Sequence, residues 1–259
     1  MSISKLQLNA LTVHIIAIIG LYHYWDPIYL LVFFIGHRFI MGIGHDIGMH
    51  RYFSHRSFKT TKFYEYLFIF CAWFNIQGST ISWVVRHRYH HAYSDRDNDP
   101  HPAKDWFKTW FWVEEGKKDF KSSPVIVRDL MRNKFHMFMH DYYFIGYWTM
   151  IFLFTLIFGF KFVLYFFIMN SVMGFHTAGL INVLCHKFGY RNFNTNDYST
   201  NLTWVNFIHM GAGLHNNHHA YPNSYTNKFK DNEFDPSAWL IKNIFSTNRH
   251  ELKDIKVSH

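Results

Sequence analysis

The sequence predicts an all-α integral membrane protein: four transmembrane helices beneath a cytoplasmic helical cap that holds a dimetal site. Three observations predict it. Long uncharged runs alternate with densely charged stretches, although the mean hydropathy is only slightly negative. The basic residues fall almost wholly on one side of those runs. Histidine is abundant, 20 of 259 residues, and it is clustered.

The spans come first. A bilayer core needs about 20 apolar residues at a rise of about 1.5 Å each. Residues 6–25, LQLNALTVHIIAIIGLYHYW, contain no Asp, Glu, Lys or Arg, and neither do 142–160 or 162–185. A further span is expected over 27–49, where IYLLVFFIG and FIMGIG flank His37 and Arg38. The turn at Trp25-Asp26-Pro27 makes the first two spans a hairpin, and Gly159-Phe160-Lys161 does the same for the last two. Three uncharged runs of this length exceed the helices of ordinary soluble proteins. The first run has no clear small-residue cleavage site and is read as retained.

Charge then orients the spans. All Lys and Arg except Arg38 and Lys161 lie at the N-terminus, in 51–140 or in 186–259. By the positive-inside rule these parts are cytoplasmic, so both termini are expected there. The chain is thus one domain over 1–259, with cap lobes at 50–141 and 186–259, in a bacterial inner membrane or endoplasmic reticulum. Residues 63–83 are apolar, but a span there would divide the histidine clusters between the two faces. They are expected to form a helix in the interface or within the cap. The formal charge of +8 is accounted for by topology and by an anionic carrier or lipid surface. No nucleic-acid motif is present. Cys71 and Cys185 allow neither a disulfide framework nor a C-x-x-C zinc site.

Four pieces at the cytoplasmic boundary carry chemistry. HRYFSH supplies His50 and His55. HRYHH supplies His87, His90 and His91. NVLCH supplies Asn182 and His186. HNNHH supplies His215, His218 and His219. In H-x-x-H-H on a helix, the first and last rings share a face and can chelate one ion. His87 with His91 suggests one ion, and His215 with His219 a second. His90 and His218 then cross to the other ion. The spacing of five separates His50 from His55 by about 140° on an α-helix, suited to reaching two ions. Asn182 and His186 share a face where the last span emerges. Nine imidazoles exceed the ligands that one ion takes, and they fit two. Imidazole suits Zn, Cu, Fe and Ni; a dinuclear histidine site above a membrane suits iron and O₂. The other histidines are expected at the surface, in the core or in supporting roles. His176 is the most notable of them, because it lies inside an apolar span. Arg38 and Asp46, two turns apart, are expected to pair within the second span.

These motifs resemble the membrane fatty-acyl desaturases of the stearoyl-CoA and cyanobacterial Δ9 type. HRYFSHRSF, WVVRHRYHHAYSDRDNDPHP, INVLCHKFGYR and GLHNNHHAYP match in order and spacing, over about residues 27–245. The resemblance implies a diiron centre with O₂ as co-substrate. It implies His50, His87, His91 and His218 on one iron, and His55, His90, His186, His215 and His219 on the other. It implies that Asn182 contacts the metal through water, and that Gln77 and Trp83 bind substrate near the bend of an acyl tunnel. The expected function is insertion of a cis double bond, Δ9 in type, into an acyl-CoA or acyl-lipid. Electrons are expected from a separate ferredoxin or cytochrome b5 type donor, since the chain has no haem or flavin motif. The chain departs from the family at Ala212, where Glu is usual. It also departs at Ala178-Gly179, where Thr-Trp is usual, and at Val85-Arg86, where the acyl-CoA enzymes commonly have Arg-Asp. Two other classes fit the histidines less well: a related lipid or alkane hydroxylase or ketolase, and a non-enzymatic membrane metal-binding protein.

Overall fold

The computed structural model describes residues 4–112 and 124–254. The part of the expected cap at 113–123 lies outside the described residues. Helices dominate. Among the described residues the only β pairing is two isolated bridges, Tyr190 with Asn201 and Asn201 with Leu214.

Among the described residues, three helices are long and apolar enough to cross a membrane: α1 (Lys5–Tyr24), α2 (Pro27–Ser54) and α8 (Phe160–Leu184). Ser4 and Gln7 cap α1 reciprocally, satisfying N–H groups that the first turn leaves bare. The expected span at 142–160 is α7 (Tyr143–Phe158), a helix of 16 residues and about 24 Å. It follows α6 (Lys134–Asp141) across an 80° bend. The structure therefore offers three clear spans, and up to five if each bent helix pair counts as one. Apolar side chains such as Ile18, Leu31, Ile145 and Leu156 point outward from α1, α2 and α7. That is the pattern of a surface facing lipid rather than water.

The two hairpin turns meet at one end of the bundle. Lys161 Nζ lies 2.5 Å from Asp26 Oδ2, and Tyr165 donates its hydroxyl to Tyr24 O while accepting from Asp26 N. The histidine pieces sit at the opposite end. The turns at 25–27 and 159–161 thus lie together, away from the histidines.

Segment 63–83 is not one helix. Residues Lys62–Asn75 (α3) and Thr80–Tyr93 (α4) meet at 84°. Ile76 and Gly78 both have positive φ at the break, 49° and 95°. The break is buried between the long helices. Ser171 Oγ donates to Phe74 O at 2.5 Å, and Gln77 Nε2 donates to Gly174 O at 2.7 Å. α3 runs back along α2 because Gly44 and Gly48 leave room for it: a Cβ on Gly44 would strike the backbone of Cys71 and Ala72. The break delivers α4, with its three histidines, to the end of α2.

Two further sequence expectations fail here. Arg38 does not pair with Asp46. It donates to Phe207 O at 3.1 Å and lies over the Phe34 ring. Asp46 turns the other way, to Arg51 at 3.2 Å and His50 at 3.1 Å. The second concerns α2 itself. From Arg38 to Ser54 it is wound with the wider i→i+5 pattern, as in His55 N to His50 O at 3.3 Å. Such winding is rare and concentrates at functional sites.

Candidate metal centre

The nine histidines form two groups. His50, His55, His87, His91 and His218 place one ring nitrogen each within 4.8 Å of one another, and so do His90, His186, His215 and His219. The groups abut: the His91 and His219 rings are 4.5 Å apart. His90 and His218 cross between motifs as the spacing predicts. His55 lies with His50 in the first group, its ring 4.8 Å from that of His87 and 4.7 Å from that of His218, whereas the resemblance implies the second iron for it. The reason is the winding of α2. An α-helix would set residues five apart on different faces, whereas i→i+5 bonding stacks them nearly in line.

α10 (His215–Ala220) carries three of these rings, and its two asparagines explain the rest of HNNHH. Asn216 Oδ1 accepts from the backbone N–H of Asn192 and Phe193, at 2.9 and 2.8 Å. Asn217 Nδ2 donates to Asn227 O and to the buried Glu233, at 2.8 and 2.9 Å. The face opposite the histidines is thereby pinned to residues 192–193 and 227–233.

Four carboxylates orient the rings from behind. Asp46 meets His50 Nδ1 at 3.1 Å, Asp99 meets His90 Nδ1 at 2.9 Å, Asp95 meets His186 Nδ1 at 2.7 Å, and Asp197 meets His219 Nδ1 at 2.8 Å. Each contact requires the proton on Nδ1, which leaves a lone pair on Nε2. Carboxylate behind imidazole is the arrangement that fixes tautomer and raises ligand basicity in metal sites. The sequence reading missed all four. The signals were acidic residues close to the second histidine motif, in SDRDNDPH, and the i,i+4 spacing of Asp46 and His50; Asp197 had none.

Electrostatics keep most of these rings neutral, the state that leaves a lone pair free, with His90 the exception. Burial disfavours ionisation of Asp99, yet the His90 imidazole beside it outweighs this and holds its carboxyl at about 2. Asp197 is also held far below the usual range: burial opposes, and the His219, Ser199 and Thr195 hydrogen bonds prevail. Burial, and then crowding by neighbouring imidazoles, drives His55, His87, His91, His215 and His218 well below the ordinary histidine value. Burial takes His219 down to about 4 against the pull of Asp197. For His90 burial acts the same way, but Asp99 more than offsets it and the pKa rises.

Within the first group Nε2 faces Nε2. The separations are 2.9 Å for His50–His218, 2.8 Å for His218–His91, 3.1 Å for His91–His87 and 2.7 Å for His87–His55. His186 and His215 do the same at 3.0 Å in the second. Adjacent nitrogens about an ion with bonds of about 2.1 Å would stand about 3.0 Å apart at right angles. His90 Nε2 and His219 Nε2 are buried with no hydrogen-bond partner. Orphaned lone pairs converging on one point fit a cation, so the residues present fit a metal at both groups. Replacing Asp99 with Ala should weaken metal retention about 10- to 100-fold, because the His90 ring loses its orienting partner and the 95–101 loop loses the carboxylate that accepts from Asp95 N and His101 N. Metal titration of the purified variant checks it.

A cavity adjoins the groups. His45, Asp46, His50, Trp83, His87, His101, Trp112, Ile181, Asn182, His209, Ala212 and His215 line it. Asn182 is therefore placed beside His50, His87 and His215. Trp83 faces the cavity; Gln77 sits behind, accepting from Trp83 Nε1 at 2.8 Å and contacting His45 at 3.1 Å. His176 is elsewhere, bonded to His14 and Trp110.

Residues 25–231 match the fatty acid desaturase family. The chain is 32% identical over 236 residues to a Delta-9 acyl-lipid desaturase 2 of Arabidopsis thaliana, covering 89% of this chain and 76% of that protein. It is 35% identical over 182 residues to an sn-1 stearoyl-lipid 9-desaturase of Anabaena variabilis, covering 70% of this chain and 67% of that protein. An acyl-CoA C20 Delta5-desaturase of Anemone leveillei is 33% identical over 203 residues, covering 77% of this chain and 65% of its own length.

Proposed function

This chain belongs to the fatty acid desaturase family, and from that premise we propose that it is an O₂-dependent acyl desaturase of Δ9 type with a diiron centre. The observation that carries the reading is the pair of abutting imidazole groups, lone pairs inward, on the wall of a cavity. His50, His55, His87, His91 and His218 hold one iron; His90, His186, His215 and His219 hold the other. Asn182 approaches through water. When bound, the irons supply the O₂-derived oxidant needed to break an unactivated methylene C–H bond, which no general base can do.

The protein's own part is orientation and exclusion of water. Trp83 and Ile181 give the cavity apolar wall against which a methylene pair is held beside the histidines. Asp46, Asp95, Asp99 and Asp197 keep the rings in one tautomer through the cycle. The overall change removes two hydrogens from adjacent carbons and reduces O₂ to two waters. It requires two electrons and two protons from outside, with the electrons from a separate ferredoxin or cytochrome b5 type donor. The substrate is an acyl chain on lipid or CoA, delivered from the bilayer. The histidine end faces the cytoplasm, in line with the basic residues there.

Expression in a host that lacks monoenes, followed by gas chromatography of its lipids, tests the reading. New Δ9 monoenes are expected. Hydroxylated chains in their place would move the protein to the hydroxylase class.

A further inference from the structure

The cavity beside the histidines contains a donor that the fold leaves unanswered. Trp112 lines the cavity and is 6% exposed, and its indole Nε1–H is buried without an acceptor. His45 and His209 also present unpartnered ring nitrogens there, but an imidazole can donate or accept by choice of tautomer. Indole nitrogen can only donate, so it calls for an acceptor. A buried donor without one is penalised, and such groups in native structures usually mark a missing ligand atom or water.

The pose of Trp112 is enforced. Its φ is +53°, a left-handed conformation uncommon for a bulky residue and one that persists where the surroundings over-determine it. Gln7 of α1 donates to Trp112 O at 3.1 Å. The Arg86 guanidinium lies 4.8 Å over the indole face. Two residues earlier, Trp110 packs on Gly179 of α8, where an added Cβ would come within 2.9 Å of the indole ring. Where the resemblance leads one to expect Trp at 179, this chain has Gly, and Trp110 fills the space. Trp110 Nε1 donates to His176 Nδ1 at 3.1 Å, which leaves the His176 proton on Nε2. That nitrogen donates to His14 Nε2 at 3.1 Å, and His14 Nδ1 in turn to Ala10 O at 2.6 Å. This directional chain ties the segment to α1 and α8.

We propose that Trp112 is a specificity-determining residue: its Nε1–H takes the carbonyl oxygen of the ester or thioester that carries the acyl chain. An acyl chain offers no other acceptor near its head. A carbonyl held at one point, with the chain running on to the histidines, sets which carbon pair lies beside them. The inference rests on the acyl desaturase reading.

The test compares wild type with Trp112→Phe, which keeps the ring and the apolar wall and removes only the donor. Protein level and iron content are measured alongside double-bond positions. The ratio of the main positional isomer to its neighbours should fall about fivefold to tenfold in Trp112→Phe, the worth of one hydrogen bond. Trp112→His, which restores a donor, should recover part of it. Running the assay once with acyl-CoA and once with acyl-phospholipid vesicles as sole acyl source shows which carbonyl is read: the ratio shifts with that carrier. An unchanged ratio with both carriers overturns the proposal. So does a shift in Trp112→Leu but none in Trp112→Phe, which would make Trp112 a wall alone. Absence of monoenes from wild type fails the desaturase reading instead.

Discussion

His218→Ala abolishes monoene formation, with more than about a 100-fold loss, and purified protein holds fewer than two irons. Removing a ring that orients a metal from outside typically costs 10- to 100-fold, and removing a ligand should exceed that. His218 is the ring whose loss should be felt most. Its Nε2 lies 2.9 Å from that of His50 and 2.8 Å from that of His91, so it joins the end of α2 to the end of α4. The ring centroids of His218 and His55 are also only 4.7 Å apart. The spans should remain inserted, because His218 belongs to the short helix α10 and lies outside the apolar helices α1, α2 and α8. Product profiling and iron analysis of the variant decide the matter: substantial product with two irons bound would remove His218 from the ligand set.

Arg51→Met unfolds the protein's histidine end rather than its chemistry, with a loss of about 3–5 kcal/mol. Arg51 is almost wholly buried, 1% exposed, yet it carries a full charge. It spends its fork on two aspartates: Nη1 on Asp235 Oδ2 at 2.9 Å, and Nη2 on Asp235 Oδ1 at 3.0 Å and Asp46 Oδ2 at 3.2 Å. Nη1 also reaches Tyr225 O at 2.8 Å. Met fills similar space but leaves two buried carboxylates unpaired, and it is that orphaned charge that destabilises. Thermal unfolding in detergent should show a lower midpoint with the iron-free and iron-loaded forms both affected. A midpoint equal to wild type would mean that Asp46 and Asp235 find other partners. The prediction also connects fold to site, since Asp46 holds His50 by its other oxygen.

Histidine spacing carried much of the site in one dimension. H-x-x-H-H at 87–91 and at 215–219 encodes which rings share a helical face, and the structure places His90 and His218 across from their own motifs as that spacing requires. The uncharged runs at 6–25 and 162–185 likewise encode α1 and α8, because a bilayer filters on length and charge, which are local properties; the run at 142–160 folds as the shorter α7. The placing of His55 beside His50 was not legible, for an equally local reason. The angle between residues five apart depends on the winding of the helix, and sequence spacing assumes 3.6 residues per turn. The break at 76–79 was missed because apolar composition reads the same in one helix or two.

What the sequence determined by itself was the inventory: which segments prefer lipid, which rings can chelate together, and a surplus of imidazole over what one ion needs. Only the tertiary structure decided the partners. Asp99 is nine residues from His90, but Asp95 lies 91 positions from His186. Gly179 meets Trp110 across 69 positions, and Arg51 meets Asp235 across 184. Such pairings are selected by packing and by the penalty on buried unpaired charge, both of which exist only once the chain has closed on itself.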